Sequence, residues 1–262
     1  MSAMKKISIV TVAYNAVGSI EETIQSILSQ DYKGYEYIVI DGGSTDGTTT
    51  VIDKYSSHID YYVSEPDKGI YDAMNKAIDV ASGEWIIFLN SGDKFASPGV
   101  LSSIASHMVS YPDCSVIYGD TIIKYPWGSF KSEGKAISPQ DMYLPFCHQS
   151  AFVRTELMQQ YKFDLSYKVV ADYKFFYQLH CLGKQFLHVS ELISEYDMNG
   201  YSSQRVVELY REIAKINGTY RTLSYYKKMC VLRVSQLTKK MLPASWTQKI
   251  IERRRLSEQS NN

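Results

Sequence analysis

The chain is 262 residues long, 45% hydrophobic and 13% aromatic, with 28 basic residues against 28 acidic ones. That is enough apolar material for one sizeable core, or a core with a helical extension, and it excludes disorder along the whole length. Zero net charge excludes a uniformly basic nucleic-acid binder, yet from Arg221 to Asn262 ten Lys/Arg face two Asp/Glu, which leaves −8 on the preceding residues.

Residues 6–14 (KISIVTVAY) predict a buried strand, short, β-branched and unbroken. A turn from Asn15 to Gly18 follows. Ser19 with Glu22 three residues on forms a capping-box pattern, and Ile20, Ile24, Ile27 and Leu28 mark one face of a helix. A second buried strand runs through Tyr37–Ile40 and stops at the polar loop DGGSTDGT. A helix with Val51, Ile52 and Tyr55 on its apolar face comes next, with Asp46 placed to cap it. Residues 60–63 predict a short strand, 70–81 an amphipathic helix, and 84–89 (EWIIFL) a further buried strand ending at NSGD. Beyond residue 115 the expected elements are a strand and hairpin over 115–130, an irregular loop over 139–147, helices over 150–160 and 170–182, and a short strand over 185–190. From Gln204 to about residue 256 the pattern is mostly helical, interrupted near Pro243.

Strands alternating with helices predict a mostly parallel α/β sheet, in which ligands bind outside the carboxyl ends of the strands. The loops after Tyr14, Ile40 and Leu89 all leave those ends. In the second, glycines permit a tight turn and close backbone approach, and Asp41 is placed to accept hydrogen bonds from a base or ribose. In the last, Asp93 is a carboxylate and Asn90 a neutral oxygen donor, the ligand types a hard divalent cation takes beside phosphate. Lys68, near a helix start, is placed to meet phosphate. Cys114, Cys147, Cys181 and Cys230 have no CxxC spacing, which argues against a zinc site or disulfide framework and for a reducing cytosol. No apolar run reaches the ~18 residues of a spanning helix.

Four segments, SIVTVAYN, VIDGGSTDGT, DKGIYDAMNKA and GEWIIFLNSGD, occur in order and together resemble the family 2 glycosyltransferases of the GT-A fold over about residues 5–205. The likeness is strongest to bacterial members that build capsular, O-antigen or exopolysaccharide repeats. It implies a GT-A domain over 1–205, with a nucleotide-binding half (1–95) and an acceptor-binding half (96–205), and a basic helical extension over 206–262. It implies an inverting transferase that takes a nucleotide sugar, UDP-linked by default, and a divalent metal, Mn2+ or Mg2+. The acceptor is a saccharide or a lipid-linked saccharide.

Residue by residue, the resemblance makes Thr11, Ala13, Tyr14 and Asn15 the nucleoside loop, Asp41 the base contact, and Lys68 and Gly69 the base and ribose segment. Asn90 and Ser91 fall beside the nucleotide, and Asp93 in the metal motif. Asp172, opening a helix, matches the base that deprotonates the acceptor, and His148 lies in an acceptor-side segment. The chain departs from the family pattern at Asn90, Gly92, Gly42 and Ala171, where acids are usual. That motivates the alternative of a non-catalytic nucleotide-sugar-binding protein with a degenerate metal motif. A dinucleotide oxidoreductase is disfavoured because the first strand ends in AYNAVG rather than GxGxxG. Asn199–Ser203 fits a closing loop. The basic tail, with Val231, Leu232, Val234 and Leu237 as an apolar stripe, suits a helix lying on an anionic membrane. The expected location is cytoplasmic, peripheral on the inner face of the cell membrane.

Overall fold

The computed structural model of the chain describes residues 7–125, 127–137, 144–197 and 205–241, the last six by backbone alone. The predicted closing loop at Asn199–Ser203, most of the loop over 139–147 and the interruption near Pro243 lie outside those residues.

The chain forms two compact units, residues 1–200 and 201–262. In the first, strand β1 (Ile7–Ala13) is buried at every position, as a β-branched run at the centre of a parallel sheet must be. It pairs in parallel with β2 (Tyr35–Asp41) on one side and β4 (Trp85–Phe88) on the other. Strand β3 (Tyr61–Ser64) adds to β2 at the edge. The sheet runs β3-β2-β1-β4-β8-β6-β9-β5, with β7 paired to β6. The later strands are β5 (Lys94–Phe95), β6 (Val116–Tyr125), β7 (Gly128–Ser132), β8 (Ala151–Arg154) and β9 (Phe186–Asp197). Antiparallel β8 joins β4 to β6, so the sheet is mixed.

Alternation along the central strands sends side chains into two cores. Ile7, Ile9, Tyr37, Val39 and Ile87 pack under α1 (Ile20–Leu28), α2 (Thr48–Asp53) and α4 (Val100–Ser110). Val10, Val12, Ile38, Ile40, Ile86 and Phe88 pack under α3 (Ile70–Val80), α5 (Thr155–Tyr161) and α6 (Ala171–Cys181). Each fully buried aliphatic contributes roughly 1.5–3 kcal/mol.

Three expectations change. Residues 150–160 are not one helix, because Ala151–Arg154 completes the ladder between β4 and β6 and the helix starts only at Thr155. The strand at 185–190 extends to Asp197, since β6 offers it a partner along that whole length. Ser19 makes no side-chain cap; its hydroxyl turns back to Ala16 O at 3.4 Å, and Glu22 reaches Lys94 at 2.6 Å instead. In the second unit, α7 (Val206–Ile216) and α8 (Leu223–Met241) share a small core of Tyr210, Ala214, Tyr225 and Met229.

Candidate active site

Three loops leave the carboxyl ends of the adjacent strands β2, β1 and β4. After β1, Asn15 takes a left-handed φ of 47°, which asparagine tolerates. Its amide oxygen accepts from Thr45 N at 2.9 Å, and its own N–H donates to Ser44 Oγ at 2.8 Å. The loop after β1 is thereby stitched to the loop after β2. Ala13 O accepts from Gly42 N at 2.9 Å.

Asp41 is fully buried. Its carboxylate accepts from Gly43 N (3.1 Å), Ser44 N (2.9 Å), Ser44 Oγ (2.5 Å) and Ser64 Oγ (2.6 Å). Oδ2 takes Gly43 N, Ser44 N and Ser64 Oγ, while Oδ1 takes Ser44 Oγ. Asp41 thereby organises the loop from within. Thr11 is fully buried in the sheet, and its hydroxyl donates to Leu89 O at 2.9 Å.

What the loop presents outward is different. Tyr14 is 65% exposed. A Cβ added at Gly42 would stand 2.3 Å from Asp67 Oδ2 and 3.4 Å from the Tyr14 ring. The Asp67 carboxylate fills the space in front of position 42. Asp67 Oδ1 accepts from Gly69 N at 2.8 Å, and Lys68 N donates to Asp72 Oδ2 at 2.9 Å, so the segment before α3 is held in shape. The Lys68 side chain is exposed beside it.

After β4, Asn90–Asp93 forms a turn closed by Asp93 N to Asn90 O at 2.9 Å, with Gly92 at φ 99°. That left-handed third position requires glycine, which explains why no acid stands there. Ser91 lies against β1, its N–H donating to Val12 O at 3.1 Å. Asp93 is buried. Burial pushes its carboxyl up to about 7, against the charge of His148 and a hydrogen bond from Gln149, which pull it down. Asn90 Oδ1 is buried with no hydrogen-bond partner among the described residues.

On the far side of His148 lies Asp172, the second residue of α6. Its Oδ2 is 2.9 Å from His148 Nδ1, and its Oδ1 accepts from the Tyr71 hydroxyl at 2.8 Å. Burial raises the Asp172 carboxyl, but the His148 bond and charge, the Tyr71 hydroxyl and the Tyr173 N–H outweigh it and hold the group below its ordinary value. For His148, burial lowers the imidazole, and the bond and charge of Asp172 with the charge of Asp93 more than reverse that. His148 rides on a short 3-10 turn, His148–Ser150, pinned by Ser150 Oγ to Thr121 (2.6 Å) and Ser194 (2.7 Å). The Nδ1 edge of the ring is engaged by Asp172, and the charge of Asp93 acts on the same imidazole. His148 Nε2 is buried without a partner among the described residues.

The structure therefore brings Asp93, His148 and Asp172 together. Tyr14, Asp67, Lys68 and Gly69 gather about the end of β2. Sequence reasoning missed Tyr71, Asp67 and Gln149. Tyr71 lies in the DKGIYDAMNKA segment, but a tyrosine at helical spacing reads as core. Only the short distance between Asp67 and position 42 marks that acid out.

Among the described residues no three His, Cys, Asp or Glu side chains gather as a metal cage. Asp93 and the unpartnered Asn90 oxygen still fit a hard cation that draws its other ligands from phosphate and water.

The model of the Glycosyl transferase family 2 matches residues 8–169. The chain belongs to this family. Among curated relatives, the PGL/p-HBAD biosynthesis glycosyltransferase of Mycobacterium tuberculosis is 26% identical over 213 residues, covering 77% of this chain and 80% of its own. The putative teichuronic acid biosynthesis glycosyltransferase TuaG of Bacillus subtilis is 37% identical over 94 residues, 34% of this chain and 36% of its own. Two solved structures share the fold. S. aureus TarS 1–349 in complex with UDP-GlcNAc superposes with a TM-score of 0.66 at 20% identity, covering 85% of this chain and 69% of that one. In its longer crystallised form, this chain covers 39% of TarS. The mannosyltransferase PcManGT from Pyrobaculum calidifontis, in complex with GDP-Man and Mn2+, gives 0.63 at 16% identity over 96% of this chain and 80% of that one. This family 2 glycosyltransferase thus has the GT-A fold, with helices α7 and α8 following it.

Proposed function

We propose that this glycosyltransferase moves a sugar, with inversion, from a nucleoside-diphosphate sugar to a saccharide or lipid-linked saccharide acceptor in cell-surface polysaccharide biosynthesis. UDP is the default nucleotide. The names of the relatives support the pathway class, and the UDP-GlcNAc and GDP-Man complexes of the structural neighbours support a nucleotide-sugar donor. Residues 1–95 serve the donor and 96–205 the acceptor.

The observation that carries the reading is the Asp172 carboxylate, partly buried, kept ionised by His148 and fixed at both oxygens. In this reading Asp172 takes the proton of the acceptor hydroxyl. The hydroxyl oxygen attacks the anomeric carbon as the bond to the diphosphate breaks, its electron pair leaving with phosphate. Asp93 and Asn90 hold a divalent cation, Mn2+ or Mg2+, with Ser91 beside the nucleotide. Such a cation neutralises the charge that develops on the leaving diphosphate. Tyr14, the Ala13–Asn15 backbone, Asp67, Lys68 and Gly69 hold the nucleoside. A binding-only role would leave the Asp172–His148 arrangement without use.

Asp172→Asn tests this. Nucleoside diphosphate release in the presence of acceptor should fall by about a thousandfold or more, while donor binding stays within twofold. Near-normal turnover would remove Asp172 from the role. No described helix is long and apolar enough to cross a membrane. The tail supports a peripheral, cytoplasmic-face location through its basic surface.

A further inference from the structure

Asp172 has two carboxylate oxygens, and each has its own donor. Oδ2 lies 2.9 Å from His148 Nδ1, and Oδ1 accepts from the Tyr71 hydroxyl at 2.8 Å. The same hydroxyl stands 3.0 Å from the carbonyl oxygen of Val169. Tyr71 is 7% exposed, with its ring tilted against Phe163 at 5.3 Å between centroids. Its oxygen is therefore held where it is. A phenol has one proton and can also accept. Of the Asp172 carboxylate and the Val169 carbonyl, the charged carboxylate is the nearer and the stronger acceptor. In the resting protein the proton points at Asp172.

This changes when Asp172 is protonated. Oδ1 then has a proton to donate. Tyr71 needs only to turn its O–H about the C–O bond onto Val169 O, and its lone pair then faces the carboxyl proton. No heavy atom moves, and neither state leaves the partly buried carboxyl group unpaired. An orphaned polar group there would cost free energy in whichever state lacked a partner.

We propose that Tyr71 is a positioning residue for the transfer step, a hydroxyl rotor that holds Asp172 in one place in both its ionised and its protonated state. Tyr71 is the second residue of α3, two residues after Gly69. Its hydroxyl therefore also ties the donor-side helix to the start of α6. In the step itself the acceptor O–H breaks and its proton goes to Asp172. The oxygen's electron pair forms the bond to the anomeric carbon, and the bond to the diphosphate breaks with its pair onto phosphate. Tyr71 exchanges no proton with solvent or substrate. The inference rests on Asp172 being the base.

The test compares Tyr71→Phe, which removes one oxygen, with Asp172→Asn in the full chain. In Tyr71→Phe, kcat should fall about ten- to hundredfold, while donor Kd, measured by calorimetry with a UDP-sugar and Mn2+, stays within twofold. If the variant melts several degrees lower, kcat is read with saturating donor at a temperature where circular dichroism shows both proteins folded. A kcat within twofold of wild type, with Asp172→Asn inactive, would overturn the role of Tyr71 and leave that of Asp172 standing. A fall in kcat matched by an equal rise in donor Kd would show a merely structural hydroxyl and overturn it as well. Full turnover in Asp172→Asn would instead defeat the reading beneath it.

Discussion

Asp93 must lose a proton before it can ligate a cation. Burial pushes its carboxyl up to about 7, so below that pH the proton and the metal compete for the same oxygens. Manganese affinity, measured calorimetrically with donor nucleotide, should rise about tenfold per pH unit up to about 7 and level off above it. A flat affinity between pH 5.5 and 8 would put the cation elsewhere. Gly42 offers a second test at this scale. A methyl group there meets Asp67 Oδ2 at 2.3 Å, the mobile end of a side chain that can swing away. Gly42→Ala should raise the donor Kd severalfold and shift Tm by less than about 2 °C. A large loss of stability with unchanged donor binding would show that position 42 matters only for packing. Some of this chemistry was legible in the sequence. Asp93 could be picked out at a strand end, whereas Asp172 was marked only by the family resemblance. Nothing in one dimension shows that Ser64, from the neighbouring strand, joins Gly43 and Ser44 in bonding to Asp41.

At the scale of elements, the loop after β2 stands or falls with Asp41. Removing that carboxylate in Asp41→Ala takes the shared acceptor from the Gly43 and Ser44 N–H groups and from the Ser44 and Ser64 hydroxyls, all part-buried. A loss of about 1–3 kcal/mol in urea unfolding is expected. A loss under ~0.5 kcal/mol would mean that the loop holds itself. The parallel half of the fold could be read because β1, β2 and β4 are unbroken apolar runs and α1 and α3 keep a helical period. The later half could not. The segment AFVR before Thr155 has no period of its own, and its strand exists because β4 and β6 leave a gap for it. The capping box at Ser19 failed for a related reason: Lys94, distant in sequence, claims Glu22.

For the whole molecule, the uneven charge matters more than the zero total. Helix α8 buries Tyr225 and Met229 and leaves Leu223, Tyr226, Val231 and Val234 exposed beside Lys227, Lys228 and Arg233. An apolar stripe flanked by cations suits an anionic lipid surface. Replacing Lys227 and Lys228 together by Glu should weaken binding to phosphatidylserine-containing vesicles by about tenfold or more in a flotation assay. Binding unchanged by the double variant would detach the tail from that role. The tail's composition was plain in the sequence, but which stripe faces outward was not, since both faces of α8 carry apolar residues.

The central claim is that an activated sugar binds where β1, β2 and β4 end and that Asp172 acts on it. The most direct measurement is a thermal shift with UDP-, GDP- and dTDP-sugars, each with and without manganese, on wild type, Asp93→Ala and Asp172→Asn. One nucleotide sugar should stabilise wild type in a manganese-dependent way, Asp172→Asn should keep the shift, and Asp93→Ala should lose it. No shift with any of the three donors, or an undiminished manganese-dependent shift in Asp93→Ala, would contradict the claim.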